Sequence, residues 1–196
     1  DMTPSERWRQ WNWDVIPFIL GEWTPSSSWG GNYWAYLPQR IREAYVFIEN
    51  VKPLPDQDLP YEEVEYMKAE CRFLAAYYWY LLTDTYGPVP YRPNYIAPSD
   101  SDLESLKVGR TPYYAIIDSL DKEFLEVAKL LPASYSEARK YGRATSVMCY
   151  AIRARMLLFA AGDLVNGNPD YASYTDNDGK HLFSTSYDPE RWIRAK

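Results

Sequence analysis

Histidine and cysteine are nearly absent from this sequence of 196 residues, which has one His and two Cys. A zinc site, a disulfide framework or a His-dependent nucleophile would draw on residues that are scarcely there. His181 stands in a polar stretch with no Cys or second His nearby and reads as an exposed loop residue. Cys71 and Cys149 fall inside apolar helical patterns and read as reduced thiols buried in neighbouring helices. Excess positive charge is missing too. With 21 Lys and Arg against 27 Asp and Glu, the net charge is −6. An acidic chain is poorly suited to displacing counterions from a phosphate backbone, which argues against nucleic acid as a partner.

Long apolar runs are also lacking. The longest strongly apolar stretch without charge, Phe73–Thr83, falls well short of the roughly 20 residues that span a bilayer. Glu22–Arg40 encloses a longer uncharged stretch, but Ser, Gly and Trp dominate it. Asp1-Met2-Thr3-Pro4-Ser5-Glu6 has neither a basic n-region nor an apolar h-region, so no secretory leader is read there. Catalytic signatures are absent: no G-x-S-x-G elbow, no P-loop, no H-E-x-x-H. Asp176-Asn177-Asp178-Gly179 has the look of a calcium loop. Tyr174 and Thr185 stand where such a loop needs oxygen ligands, so the segment reads as a turn. Glu62, Glu63 and Glu65 read as a solvated face at a helix start, where the helix dipole favours acids. No cofactor, metal or catalytic set is read, and the chain is expected not to be an enzyme.

What is present is ordinary globular chemistry with one excess. Hydrophobic residues make up 46% and charged residues 24%, enough to build a core. Aromatic residues reach 17%, and six of the eight Trp lie in the first 34 residues. Residues 1–35 read as an irregular, aromatic-rich segment. Trp8, Trp11 and the residues around Val15 suggest a short helix ended by Pro17, and Thr24–Asn32 is Ser/Gly loop chemistry.

Residues 36–196 read as helical. Ile41, Tyr45 and Ile48 mark the face of a helix over Tyr36–Val51. Val64, Met67, Cys71, Leu74, Tyr78, Leu81 and Thr85 step by 3 and 4 along a second helix over 60–86, ended at Gly87 and Pro88. Leu74, in its most apolar half, is expected to be a core residue. Residues 87–110 form a long connection. Thr111 is expected to cap a third helix with Pro112 at its first position, its face marked by Tyr113, Ile117, Leu120, Phe124, Val127 and Leu131. A fourth helix starts near Thr145 with a stripe of Val147, Ala151, Ala154, Leu158 and Ala161, closed by Gly162. Residues 163–188 are loop-like, and Asp188-Pro189 opens a short fifth helix, Glu190–Lys196.

The expected fold is all-α, a superhelix of tetratricopeptide-like helix pairs, 36–51 with 60–86 and 111–131 with 145–162. The first helices of the pairs start about 75 residues apart against a regular period of 34, so long loop insertions are expected. A closing helix of one or two turns has nothing to bury against, which suggests a region truncated at its C-terminal end.

The Trp-rich loop invites a functional reading. Trp23, Trp29, Tyr33 and Trp34 could stack on the apolar face of a sugar ring while Asn32 bonds its hydroxyls, and Gly30-Gly31 leaves the backbone open to a ligand. The alternative is that these rings pack over helix ends as a cap on the core.

Five segments, in order, bear on this choice. Ile41-Arg42-Glu43-Ala44-Tyr45-Val46-Phe47-Ile48-Glu49 is followed by Ala69-Glu70-Cys71-Arg72-Phe73-Leu74-Ala75-Ala76-Tyr77-Tyr78 running into Tyr86-Gly87-Pro88-Val89-Pro90. Arg110-Thr111-Pro112 and Gly142-Arg143-Ala144-Thr145 each open a helix, and Tyr187-Asp188-Pro189-Glu190-Arg191-Trp192 opens the last. The set resembles the signature of the SusD/RagB family, with Ala75 in place of the usual Arg and Tyr45 in place of the usual Asn.

The resemblance implies an outer-membrane lipoprotein of Bacteroidetes, exposed at the cell surface. It would bind nutrients, mostly oligosaccharides, and pass them to a SusC-like TonB-dependent transporter. It also implies that the chain is an N-terminal half, held to the membrane only by a lipid anchor this stretch does not contain. The family's glycan contacts often include a Trp in the loop before the first repeat helix, where Trp29 and Asn32 stand. The alternatives are a peptide-binding, RagB-like member and a helical-repeat scaffold for protein contacts.

Overall fold

The computed structural model describes residues 19–24, 26–27 and 32–196. The chain divides into two compact units, Asp1–Ala35 and Tyr36–Lys196. The helix expected around Trp8–Val15 lies outside the described residues. Six α-helices are present among those described: α1 Tyr33–Asn50, α2 Tyr61–Tyr86, α3 Leu103–Leu106, α4 Tyr113–Leu130, α5 Ser146–Ala161 and α6 Glu190–Ala195. Short 3-10 turns lie at Pro55–Gln57, Ala138–Lys140 and Pro169–Tyr171. No strand is found among the described residues, only two isolated bridges, so the fold is all-helical as expected. Within the second unit α2 packs along α4, α4 along α5, and α6 lies on α5.

α4 follows its sequence pattern directly. Tyr113, Ile117, Leu120, Phe124, Val127 and Leu131 are all buried. Its N-terminus does not follow expectation. Thr111 does not cap the helix; its hydroxyl accepts from the Tyr91 N–H at 3.3 Å, and its own N–H donates to Val89 O at 2.9 Å. The segment after Gly87 therefore takes Thr111 as a partner, while the Tyr113 N–H donates to Leu182 O at 2.8 Å. Gly87 itself turns the chain out of α2 at φ 69°, where an L side chain would be strained.

α2 and α5 show different registers from those expected. In α2 the buried side chains are Val64, Ala69, Phe73, Ala75, Ala76, Tyr80, Leu82 and Thr83. Leu74 is 38% exposed and not a core residue. In α5 Cys149, Met156, Leu157, Ala160 and Ala161 are buried. The expected stripe points outward except for Ala161, with Leu158 57% exposed. The second half of α2 and nearly all of α5 are apolar on almost every side, so spacing alone does not say which side faces a neighbour.

The helix starts and connections differ in smaller ways. α1 begins three residues earlier than expected because the Asn32 carboxamide accepts from the Ala35 N–H at 3.3 Å, an N-cap. Pro38 lies inside it. The connection 87–110 holds the single turn α3, capped by Asp102 accepting from the Ser105 N–H at 2.7 Å. α6, expected to lack a partner, finds one: Arg194 pairs with Asp118 and Asp121 of α4. Asp121 is buried and is also held by Arg153 of α5, so one carboxylate joins three helices.

Candidate ligand-binding site

Asn32, Tyr33 and Trp34 are consecutive at the start of α1, so the last two belong to a helical turn and not to the loop. Asn32 is exposed, but its carboxamide oxygen is engaged as the helix cap. That leaves the amide NH₂ as its outward hydrogen-bonding group. Trp34 is 50% exposed, while Tyr33 and Trp23 are half-buried. Trp23, Tyr33 and Trp34 each have interaction partners. Thr24 follows Trp23 in a hydroxyl-stabilised turn, its N–H donating to Ser27 Oγ at 3.0 Å. Trp29 lies outside the described residues.

The residues that carry the family-like pattern form a set of inter-helix staples. Arg143 reaches from the turn before α5 to α2, where its guanidinium grips Glu70 in a fork, Nε to Oε1 at 2.8 Å and Nη2 to Oε2 at 2.7 Å. The same guanidinium donates to Glu63 at 3.1 Å. Glu63 is therefore a structural partner, not part of a solvated face. Two carboxylates around one guanidinium hold the Arg143 pKa well above its ordinary range. Arg72 makes an equivalent fork with Glu123 of α4, at 2.7 and 2.9 Å. Forked pairs fix orientation as well as distance. Ala69, Phe73, Ala76, Val89 and Ala144 fill the core between these staples.

Beside the Arg72–Glu123 pair lies a cavity of about 220 Å³ between α1, α2, α4 and the 91–94 segment. Trp79 donates from Nε1 to the Tyr45 hydroxyl at 3.0 Å, and Tyr91 shares a hydrogen bond with Ser119 at 2.9 Å. Burial pushes the Tyr91 phenol up to about 12. These polar groups already satisfy one another, so the cavity serves as a hydrogen-bonded joint between helices.

Sequence reasoning missed a second joint. The Asn166 side chain is buried and pairs with the backbone of Asp188 in both directions, Nδ2 to O at 3.0 Å and N–H to Oδ1 at 3.0 Å. Next to it, a Cβ on Gly167 would lie 2.4 Å from the Tyr187 nitrogen, closer than any real contact. The signal was Val165-Asn166-Gly167-Asn168 inside a stretch read only as a loop. Asp176-Asn177-Asp178-Gly179 is a turn, with Asp176 Oδ1 accepting from Asp178 and Lys180 N–H. Among the described residues no cluster of His, Cys, Asp or Glu could hold a metal ion. No helix among them is long and apolar enough to cross a membrane. Cys149 is buried and Cys71 only half-buried; both are free, and burial pushes both thiols up, Cys149 to about 11.

Comparison with known proteins gives these staples a context. Residues 1–158 match the family model SusD-like_3, described as starch-binding associating with outer membrane. The chain belongs to the SusD-like family. It is 29% identical over 182 residues to the starch-binding protein SusD of Bacteroides thetaiotaomicron, covering 90% of this chain and 29% of that protein. Among solved structures, the protein BT4246 shares 34% identity over 83% of this chain and 28% of its own length, with a TM-score of 0.73. A laminarin-binding SusD-like protein, 20% identical, superposes with a TM-score of 0.58 over 77% of this chain and 31% of its own length, a likeness of fold. The chain thus spans less than a third of the length of these SusD-like proteins. In this SusD-like chain the motif residues Glu70, Arg72 and Arg143 hold helices together, and Arg72 also lines the 220 Å³ cavity.

Proposed function

We propose that this chain is part of a surface glycan-binding protein that captures oligosaccharide without turning it over and delivers it to a SusC-like TonB-dependent transporter. The observation that carries the reading is the family match over residues 1–158, whose description names both starch binding and the outer membrane. The starch-binding relative supports the ligand class. On this reading the protein is a lipid-anchored outer-membrane lipoprotein facing the medium, and residues 36–196 are the first part of its helical scaffold.

Trp23, Trp29, Asn32, Tyr33 and Trp34 are the proposed ligand contacts, with the half-exposed Trp34 ring and the outward Asn32 amide supporting them. Stacking of a sugar on one indole is expected to contribute about 1–3 kcal/mol, by analogy with base stacking on aromatic side chains. Trp29→Ala and Trp34→Ala should then weaken binding about tenfold to a hundredfold. Calorimetry with maltoheptaose, laminarihexaose and short peptides tests the proposal. Glycan binding that both variants weaken supports it. Binding of peptides alone favours the peptide-binding alternative, and unchanged glycan affinity in both variants moves the site elsewhere.

A further inference from the structure

At one pole of the helical unit, the end of α2, the start of α4, the end of α5 and the 163–188 loop enclose a groove of about 330 Å³. Ligand pockets run from about 300 to 1,000 Å³, so the groove suits a guest of one ring and not an extended chain. One wall is aromatic. Tyr113 stacks on Phe183 with centroids 5.5 Å apart, and Phe183 stacks on Tyr171 at 4.4 Å. Tyr174, 52% exposed, meets Tyr171 edge-on at 5.5 Å. Asp84, Thr85 and Arg110 line the same groove with exposed side chains that make no hydrogen bond or ion pair to any described residue.

A second polar group faces the same groove. Tyr113 lines the groove and is only 2% exposed, yet its hydroxyl makes no hydrogen bond. The hydroxyl oxygen is not sealed off among the unpaired buried atoms, so it is open to a partner from the groove. Burial, with Asp84 nearby, pushes this phenol far above its ordinary range, so it remains a neutral donor. The groove therefore combines flat rings, an unused donor, a free carboxylate that accepts and a free guanidinium that donates. The two charges cancel, which suits an uncharged polyol.

We infer that this polar groove is a sugar subsite, taking one pyranose ring against the exposed Tyr174 ring with its hydroxyls between Tyr113, Asp84 and Arg110. The inference rests on the glycan reading above and places a contact site apart from the Trp23–Trp34 segment. Sequence reading passed over it because Tyr171, Tyr174 and Phe183 lie in a stretch with no periodicity; three aromatic residues in a polar loop were the available signal.

Two variants test it on the ¹⁵N-labelled 196-residue protein, titrated with maltoheptaose, laminarihexaose and trialanine. Tyr113→Phe removes one oxygen and keeps the ring stack, and Arg110→Ala trims an exposed side chain. The glycans are expected to shift the amide signals of Thr85, Arg110 and Tyr174. Each variant should weaken that binding about threefold to tenfold, the effect of losing one hydrogen bond. Tyr113→Phe should melt no lower than the parent, since the hydroxyl it removes makes no hydrogen bond to any described residue. Glycan shifts confined to residues 23–34, or unchanged affinity in both variants, overturn the subsite and leave the proposed function standing. Groove shifts with trialanine and none with glycan overturn the sugar assignment. Glycan binding at neither place, in this chain and in the full-length protein, overturns the proposed function as well.

Discussion

α4 and α5 pack against each other and have similar lengths, yet they relate to their sequences differently. α4 carries Lys122, Glu126 and Lys129 on its exposed side, with Asp118 and Glu123 at its edges and Asp121 as the one charge it buries, so most of the apolar positions left over define the buried face. α5 has only Arg153 and Arg155 among its 16 residues. Its buried face holds Cys149, Met156, Leu157, Ala160 and Ala161, while Val147, Tyr150 and Leu158 are exposed. The charged residues, more than the apolar ones, mark orientation. Where a helix is apolar all round, its neighbours decide which side is covered.

The largest effect that can test this contrast lies in α4. Phe124 is fully buried where α2 and α4 meet, its ring 6.1 Å edge-on from Phe73, and Phe124→Ala should cost about 3–5 kcal/mol in denaturant unfolding. In α5 the neighbours Leu157 and Leu158 form an internal control. Leu157→Ala should cost about 2–5 kcal/mol and Leu158→Ala less than about 0.5 kcal/mol; equal losses would mean the register of α5 is wrong. Asp121→Ala removes the carboxylate shared by Arg153 and Arg194 and should cost about 1.5–3 kcal/mol, with α6 loosening first in hydrogen exchange. Leu74→Ala on α2 should shift stability by less than about 1 kcal/mol, since the residue is partly exposed.

The smallest effect concerns pH. Burial raises the Cys149 thiol from 9.0 to about 11, so folding favours its protonated form. Its contribution is fully present below pH 9 and is lost as pH rises toward 11. Cys149→Ala should flatten that alkaline limb of the stability curve. Cys71, half-buried on α2, should react with a thiol reagent before Cys149 does.

Much of the scaffold was legible because its signals are local. The ends of α2 and α5, the face of α4, the all-helical class and the Asp176 turn follow from caps, Pro and Gly placement, and charge spacing. The Thr145 cap, accepting from Met148 N–H at 3.2 Å, is the clearest case. What was not legible depends on partners far along the chain. Thr111 looks like a cap by sequence, but its hydroxyl is taken by Tyr91, 20 residues away. Glu63 looks solvent-facing until Arg143, 80 residues on, reaches it. Within the candidate site, Asn32 was proposed on residue type, and its role as a helix cap depends on where α1 begins.

The Asn166–Asp188 clamp has a consequence for how this protein can vary. It closes the 163–188 segment at its neck, and Gly167 admits the opposing backbone there and nothing larger. Changes at the tip, around Asn177 to Gly179, are therefore separated from the helices by a fixed ring. Doubling the length of a flexible loop costs only about 0.6 kcal/mol of closure entropy. The tip is thus a place where residues can be gained, lost or tagged with a fluorophore while the helices beneath keep their geometry, and Gly167 is the position through which such freedom would be lost.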